Sequence, residues 1–217
     1  MYLNITFEYI IKMKQFFEQN KLEVGIDEAG RGCLLGPVCI GAVILGDIED
    51  NPPPYPIKDS KKCTPKIRNI LRNYIENNAI AYSVKLIHTE EIDSLNILHA
   101  TMKGMHQCLD EITSQINIDT ILVDGTYFPY YIEKESFEAI DHHCIPGGDN
   151  EYMNIAAASI LAKEYHDEYI KGLVEKNPEL CNYDLLNNKG YGTKSHINAI
   201  KEYGKTKYHR KSFKMFS

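Results

Sequence analysis

Three acidic residues follow apolar runs in a way that could do chemistry. Asp27 and Glu28 close the run over residues 22–27, and Asp124 follows Ile121, Leu122 and Val123. If these runs are neighbouring strands of one sheet, their carboxyl ends bring the acids to one edge, the usual location of sites in open α/β sheets. Carboxylates brought together repel one another unless cations neutralise them. Hard oxygen ligands of this kind suit Mg²⁺ or Mn²⁺ better than zinc. Spacing alone leaves a plainer role open as well. Asp27 and Glu28 can cap a turn before Ala29 and Gly30, and Asp124 can begin an Asp-Gly turn.

Elements able to position these acids can be read along the chain. Residues 22–27 and 38–45 are β-rich runs separated by a glycine-containing turn, which predicts a hairpin. Four prolines between positions 50 and 56 impose a loop, and residues 65–77 carry a helical pattern. Residues 79–87 read as a third strand. Residues 96–116 read as a long amphipathic helix that turns Leu98, Met102, Met105, Leu109 and Ile112 inward. A fourth strand is expected over 120–124 and a fifth over 137–142. Helices follow over 154–171 and 193–203, the first opening on Ala156-Ala157-Ala158-Ser159, small residues that permit close approach to a neighbouring element. This order implies an α/β domain with a mixed sheet.

The chain has 217 residues, enough for one main domain with a small appended piece. No segment approaches the roughly 20 apolar residues of a membrane span, so no membrane partner is expected. In the first 20 residues, Glu8, Lys12 and Lys14 interrupt the apolar run and no small-residue cleavage site follows. Tyr9, Ile10, Met13, Phe16 and Phe17 recur at helical spacing, which predicts a helical extension over 1–20 docked by one face. The six cysteines form no C-x-x-C pair, which argues against a zinc ribbon and fits reduced thiols in the cytoplasm.

The net charge of −6 runs against nucleic-acid binding, but its distribution does not. From residue 189 onward there are eight basic residues and one acid, a net +7. The preceding 188 positions hold 16 basic and 29 acidic residues, a net −13. A basic tail of this kind fits phosphate contact or a merely solvated end.

The wording of the motifs decides between these readings. Residues 25–36 read GIDEAGRGCLLG, followed by DSKK at 59–62, LVDG at 122–125 and GGDNEYMNIAAASILAK at 147–163. GYGTKSH at 190–196 and HRKSF at 209–213 complete the series. In this order the motifs resemble the ribonuclease HII family over nearly the whole chain after residue 22. The resemblance implies a ribonuclease H-like α/β fold, a five-stranded mixed sheet flanked by helices, with a catalytic domain over 21–180 and a basic C-terminal helical extension over 181–217. Asp27, Glu28 and Asp124 match the family's metal-binding catalytic acids. The fourth acid falls on Asp149, with Asp141 and Glu151 nearby as alternatives.

The implied activity is a metal-dependent endonuclease using Mg²⁺ or Mn²⁺. It would cut the RNA strand of RNA/DNA hybrids and cut 5′ of single ribonucleotides in duplex DNA. Two ions would assist, and the products would carry 5′-phosphate and 3′-hydroxyl ends. Gly30, Arg31 and Gly32 look like the family's GRG element, whose backbone amides approach the ribose, and Tyr191 matches the tyrosine that stacks on the following sugar. Ser60, Lys61, Lys62, Arg210 and Lys211 are the expected substrate contacts, the basic ones touching phosphate. A monomer is expected. Two other readings are a specificity for long hybrids, as in ribonuclease HIII, and a duplex-binding module with idle acids.

Overall fold

The computed structural model describes residues 13–49 and 51–214. Strands β1 (Glu23–Ala29) and β2 (Val38–Leu45) form the expected hairpin. Helix α1 (Pro65–Asn78) leads into β3 (Ala79–Ile87), then α2 (Thr89–Leu95) and α3 (Ile97–Thr113). After β4 (Thr120–Asp124) come β5 (Tyr131–Ile132), β6 (Ala139–Ile145), the long α4 (Met153–Lys176), α5 (Leu185–Asn188) and α6 (Lys194–Tyr203).

The sheet has six strands in the order β3-β2-β1-β4-β6-β5, one more than expected. The additional strand is two residues long, pairing Tyr131 and Ile132 with Ile140 and Ala139. So short a piece carries no periodic signal in a sequence. The fifth expected strand lies at 139–145 rather than 137–142, because Phe137 takes a left-handed φ of 59° in the turn before it.

Strand β2 is buried along its whole length, and its alternation divides two cores. Val38, Ile40, Ala42 and Ile44 face Met105, Cys108, Leu109 and Ile112 of α3. Val43 and Leu45 face the other side, against Leu71 and Ile75 of α1 and Ala156, Ala157 and Ala158 of α4. The small-residue run of α4 meets glycine in the sheet. A Cβ on Gly25 would lie 2.2 Å from the carbonyl carbon of Asn154, and one on Gly41 would lie 2.3 Å from the carbonyl oxygen of Ala158. Helix and sheet thus touch backbone to backbone.

Asn154 adds polar specificity to that contact. Its side chain accepts from the Leu45 amide at 3.0 Å and donates to the Glu23 carbonyl at 2.7 Å.

Helix α4 also runs on into a third apolar cluster. There Ile170, Leu173 and Val174 pack with Leu34, Leu35, Leu180, Leu185, Ala199 and Ile200. The C-terminal elements are therefore fixed to the loop between β1 and β2.

Residues 13–20 are not helical. Lys14 instead bridges to Tyr152, and the Glu23 carboxylate accepts from the amides of Phe17 and Glu18. Met13 is buried as expected, whereas Phe16 and Phe17 are exposed. The backbone bonds supplied by Glu23 and by the start of α4 replace those a helix would make. The rest of the expected N-terminal helix, with Tyr9 and Ile10, lies outside the described residues. Among the described residues no helix is long and apolar enough to cross a membrane.

Candidate active site

Strands β1, β4 and β6 are parallel neighbours, so their carboxyl ends share one edge of the sheet. Asp27 follows Ile26, which pairs with Val123, while Asp124 pairs with Ile145 at the end of β6. Past β6 the chain turns through Gly147, at φ 72°, into a single 3-10 turn, Gly148–Asn150, that carries Asp149. One carboxylate oxygen from each of Asp27, Asp124 and Asp149 lies within 4.8 Å of the others. Asp149 therefore joins the cluster. Asp141 pairs with Thr120 at the opposite end of β4, and Glu151 is bound to Lys14 at 2.6 Å.

The cluster is anionic and largely enclosed. Asp27 is only 5% exposed, and burial, then the charges of Glu28 and Asp124, push its carboxyl well above the usual carboxylate range. Burial also raises Asp149, reinforced by Asp59 and Asp124. Glu28, adjacent to Asp27 on the strand, stands outside the group of three and meets Arg31 at 3.3 Å. Burial raises its carboxyl too, opposed by Arg31. Hydrogen bonds fix the acids: the Glu28 amide donates to Asp27 at 2.7 Å, and the Gly148 amide donates to Asp124 at 2.8 Å. Clustered, buried, all-oxygen donors fit a hard divalent cation, since like charges held this close are disfavoured without one.

Asp59 was not singled out from sequence. It caps the 3-10 turn Ser60–Lys62, accepting from the Lys61 amide at 2.9 Å, and lies against Asp149. The wording DSKK drew attention to its lysines, and only the fold brings the aspartate inward.

The expected substrate-contacting residues divide into two groups. Arg31, Gly32, Lys61, Lys62 and Lys211 are exposed, and the Tyr191 ring is 38% exposed beside Gly32. The Lys62 ammonium bonds to Asn150 beside Asp149. Gly30 is buried, with φ 79°, and its amide donates to the Tyr191 hydroxyl at 3.3 Å. A Cβ there would also strike the His166 ring at 2.4 Å, so glycine is required twice over.

Ser60 and Arg210 do not fit direct contact. Ser60 is buried against the Ser159 hydroxyl at 2.8 Å. Arg210 has no exposed surface, because its guanidinium donates inward to the carbonyls of Gly30, Arg31, Gly36 and Pro37. Its donors face backbone, so it cannot reach phosphate in this arrangement.

A mixed sheet covered by helices, with acids at the ends of adjacent parallel strands, defines a ribonuclease H-like α/β protein. Solved structures agree. The chain matches a chain of the PCNA:RNase HII complex from Archaeoglobus fulgidus with a TM-score of 0.69 and 25% identity, over 90% of this chain and 96% of that one. It matches ribonuclease H2 from Pyrococcus horikoshii with a TM-score of 0.67 and 26% identity, over 89% and 94% of the two chains.

The family model Ribonuclease HII matches residues 24–216. The chain is also 46% identical over 203 residues to the ribonuclease HII of Christiangramia forsetii, covering 94% of this chain and 96% of that protein. It belongs to the ribonuclease HII family, and is a ribonuclease H endonuclease of a divalent-metal-dependent group that hydrolyses the RNA strand of RNA/DNA hybrids.

Proposed function

We propose that this chain also cuts 5′ of single ribonucleotides embedded in duplex DNA, leaving 5′-phosphate and 3′-hydroxyl ends. The observation that carries the reading is the adjacency of two features: the cluster of Asp27, Asp124 and Asp149, and the loop Gly30–Gly32 roofed by Tyr191. Acids that gather cations beside amides that can meet a hydroxyl suit cleavage governed by a single ribose.

Asp27, Asp124 and Asp149, with Glu28 alongside, would hold a pair of Mg²⁺ or Mn²⁺ ions, which supply acidification of the attacking water and charge stabilisation at the leaving 3′-oxygen. The protein's own groups do the selecting. The amides of Arg31 and Gly32, both exposed residues, meet the 2′-hydroxyl, and the Tyr191 ring lies on the next sugar and fixes the backbone's path. Lys61, Lys62 and Lys211 hold phosphates and set the register of the duplex. Residues 21–180 form the catalytic part, and residues 181–217 a basic extension that grips substrate. The protein works in the cytoplasm as a monomer.

A cleavage assay tests this directly. It compares a DNA duplex containing one ribonucleotide with a continuous RNA/DNA hybrid, in Mg²⁺, in Mn²⁺ and in chelator. Cleavage of both substrates, abolished by chelator, is expected, and the new 3′ ends should prime a polymerase without prior treatment. Cleavage of the hybrid alone would overturn the single-ribonucleotide reading.

A further inference from the structure

We propose that Arg210 is a positioning residue that holds the ribose-reading loop in shape, by occupying the carbonyl side of its peptide planes so that their amides face the duplex. The inference rests on the substrate reading above and deepens it.

The geometry begins with the trans peptide, in which the carbonyl and the following N–H point in opposite directions. Arg210 donates from Nη2 to the Gly30 carbonyl at 2.7 Å and from Nη1 to the Arg31 carbonyl at 2.7 Å. Those two peptide planes carry the amides of Arg31 and Gly32. With their carbonyls turned inward to the guanidinium, both amides are turned outward, and both residues are exposed. Two successive outward amides form a small concave donor site suited to an oxygen. The remaining bonds, Nε to Gly36 at 2.9 Å and Nη2 to Pro37 at 2.8 Å, clamp the far end of the same loop. One rigid planar fork thus spans both ends of residues 30–37, a geometry a lysine cannot reproduce.

The segment that carries Arg210 is itself anchored to the tyrosine. The Arg210 amide donates to the Leu34 carbonyl at 2.8 Å. Next to it, His209 Nδ1 accepts from the Thr206 amide at 2.9 Å, which leaves the proton on Nε2. That nitrogen lies 3.2 Å from Nε2 of His196, whose Nδ1 lies 3.0 Å from the Tyr191 carbonyl. Only one arrangement satisfies the chain: His209 donates to His196, and His196 donates to Tyr191. The loop under the ribose and the tyrosine above it are therefore set from one segment, residues 206–210, through its buried His209 and Arg210. A full positive charge is costly to bury, and a core serving stability alone is better filled with apolar groups. The match of its donors to loop carbonyls accounts for the arginine.

The test compares wild type, Arg210→Lys and Arg210→Ala as full-length proteins in Mg²⁺. Steady-state kinetics are measured on the single-ribonucleotide duplex and on the RNA/DNA hybrid, with and without low-millimolar guanidinium chloride. Loop misalignment should lower kcat on the single-ribonucleotide duplex by about a hundredfold in both variants, with KM changed by less than about threefold. Guanidinium ion should restore at least a tenth of the lost kcat in Arg210→Ala and leave Arg210→Lys unchanged, because the lysine side chain fills the vacated space.

Melting curves check that each variant is folded, and Arg210→Lys carries the test if Arg210→Ala does not fold. Wild-type kcat in folded Arg210→Lys would overturn the inference, as would equal losses on both substrates without rescue. Failure of the wild-type protein to cut the single-ribonucleotide duplex, with the hybrid still cut, would overturn the substrate reading and the inference with it.

Discussion

At the scale of single residues, the acids and the tyrosine make separable predictions. Asp124 supplies one anionic oxygen to a crowded group and anchors the turn that carries Asp149 through the Gly148 amide. Asp124→Asn keeps that turn's acceptor and removes a charge. Turnover should fall to a few per cent or less, while duplex affinity stays near wild type, because an anion close to phosphate has been removed. The increase in melting temperature on adding Mg²⁺ or Mn²⁺ should shrink in parallel. Cleavage at wild-type rate by the folded variant would remove Asp124 from the site.

Tyr191 offers the ring proposed to lie on the sugar and a hydroxyl that accepts from the Gly30 amide. Tyr191→Ala should reduce cleavage at a single ribonucleotide by about a hundredfold, with a smaller loss on hybrids, which offer many registers. Tyr191→Phe keeps the stacking face and should lose about tenfold or less. Equal losses on the two substrates would make Tyr191 a support of the fold.

At the scale of elements, the contact of α4 with the sheet and the attachment of the C-terminal segment are the two joints that hold the site. Gly25→Ala and Gly41→Ala would each drive a methyl into α4 backbone, which can yield only by separating helix from strand. Each should destabilise the fold by roughly 1–3 kcal/mol or more, read from chemical denaturation, and Gly25→Ala should also lower activity because Asp27 follows two residues later. If either is neutral, the helix is not seated as described.

The second joint should be sensitive to acid. Burial and the neighbouring His196 hold His209 down at about 4, below its ordinary 6.5, and burial lowers His196 as well. The unfolded chain therefore takes up protons first. The stability this pair contributes is complete above pH 6.5 and is lost as pH falls toward 4. Melting temperature followed from pH 7.5 to 4.5 should fall less steeply in His209→Gln than in wild type. Parallel slopes would mean that other groups control the acid response.

At the scale of the whole molecule, the opposed charges of −13 and +7 divide along the sequence. The acids of the active site belong to the negative part, where cations would offset them, while the proposed function gives lysines of the positive part the contact with the polyanion. Lys207 and Lys211 are exposed at the tail. Changing both to glutamate should weaken binding to every duplex alike, and should flatten the plot of log affinity against log salt by up to about 2 units. An unchanged slope would leave the tail a solvated end. Complete truncation after Tyr208 is a different experiment, since it also removes Arg210 from beneath the loop.

The sequence by itself determined most of the elements, though not β5 or the non-helical residues 13–20, and which residues are chemically unusual. The apolar runs of β2, β3 and β4 match the structure at both ends, because their flanking turns and caps are local signals. The motif wording singled out Asp27, Glu28, Asp124 and Asp149, and the structure gathers three of them. Tertiary structure alone decided which partners the polar side chains of the motifs meet. Arg210 reads as a phosphate contact by composition, yet four carbonyls from residues more than 170 positions away turn it inward. Ser60, expected to contact substrate, is likewise turned inward against Ser159, and the inward place of Asp59 was not legible for the same reason. A sequence records that a group can bear charge or donate a proton, while the partner it meets is set by strand order and helix docking, which are non-local.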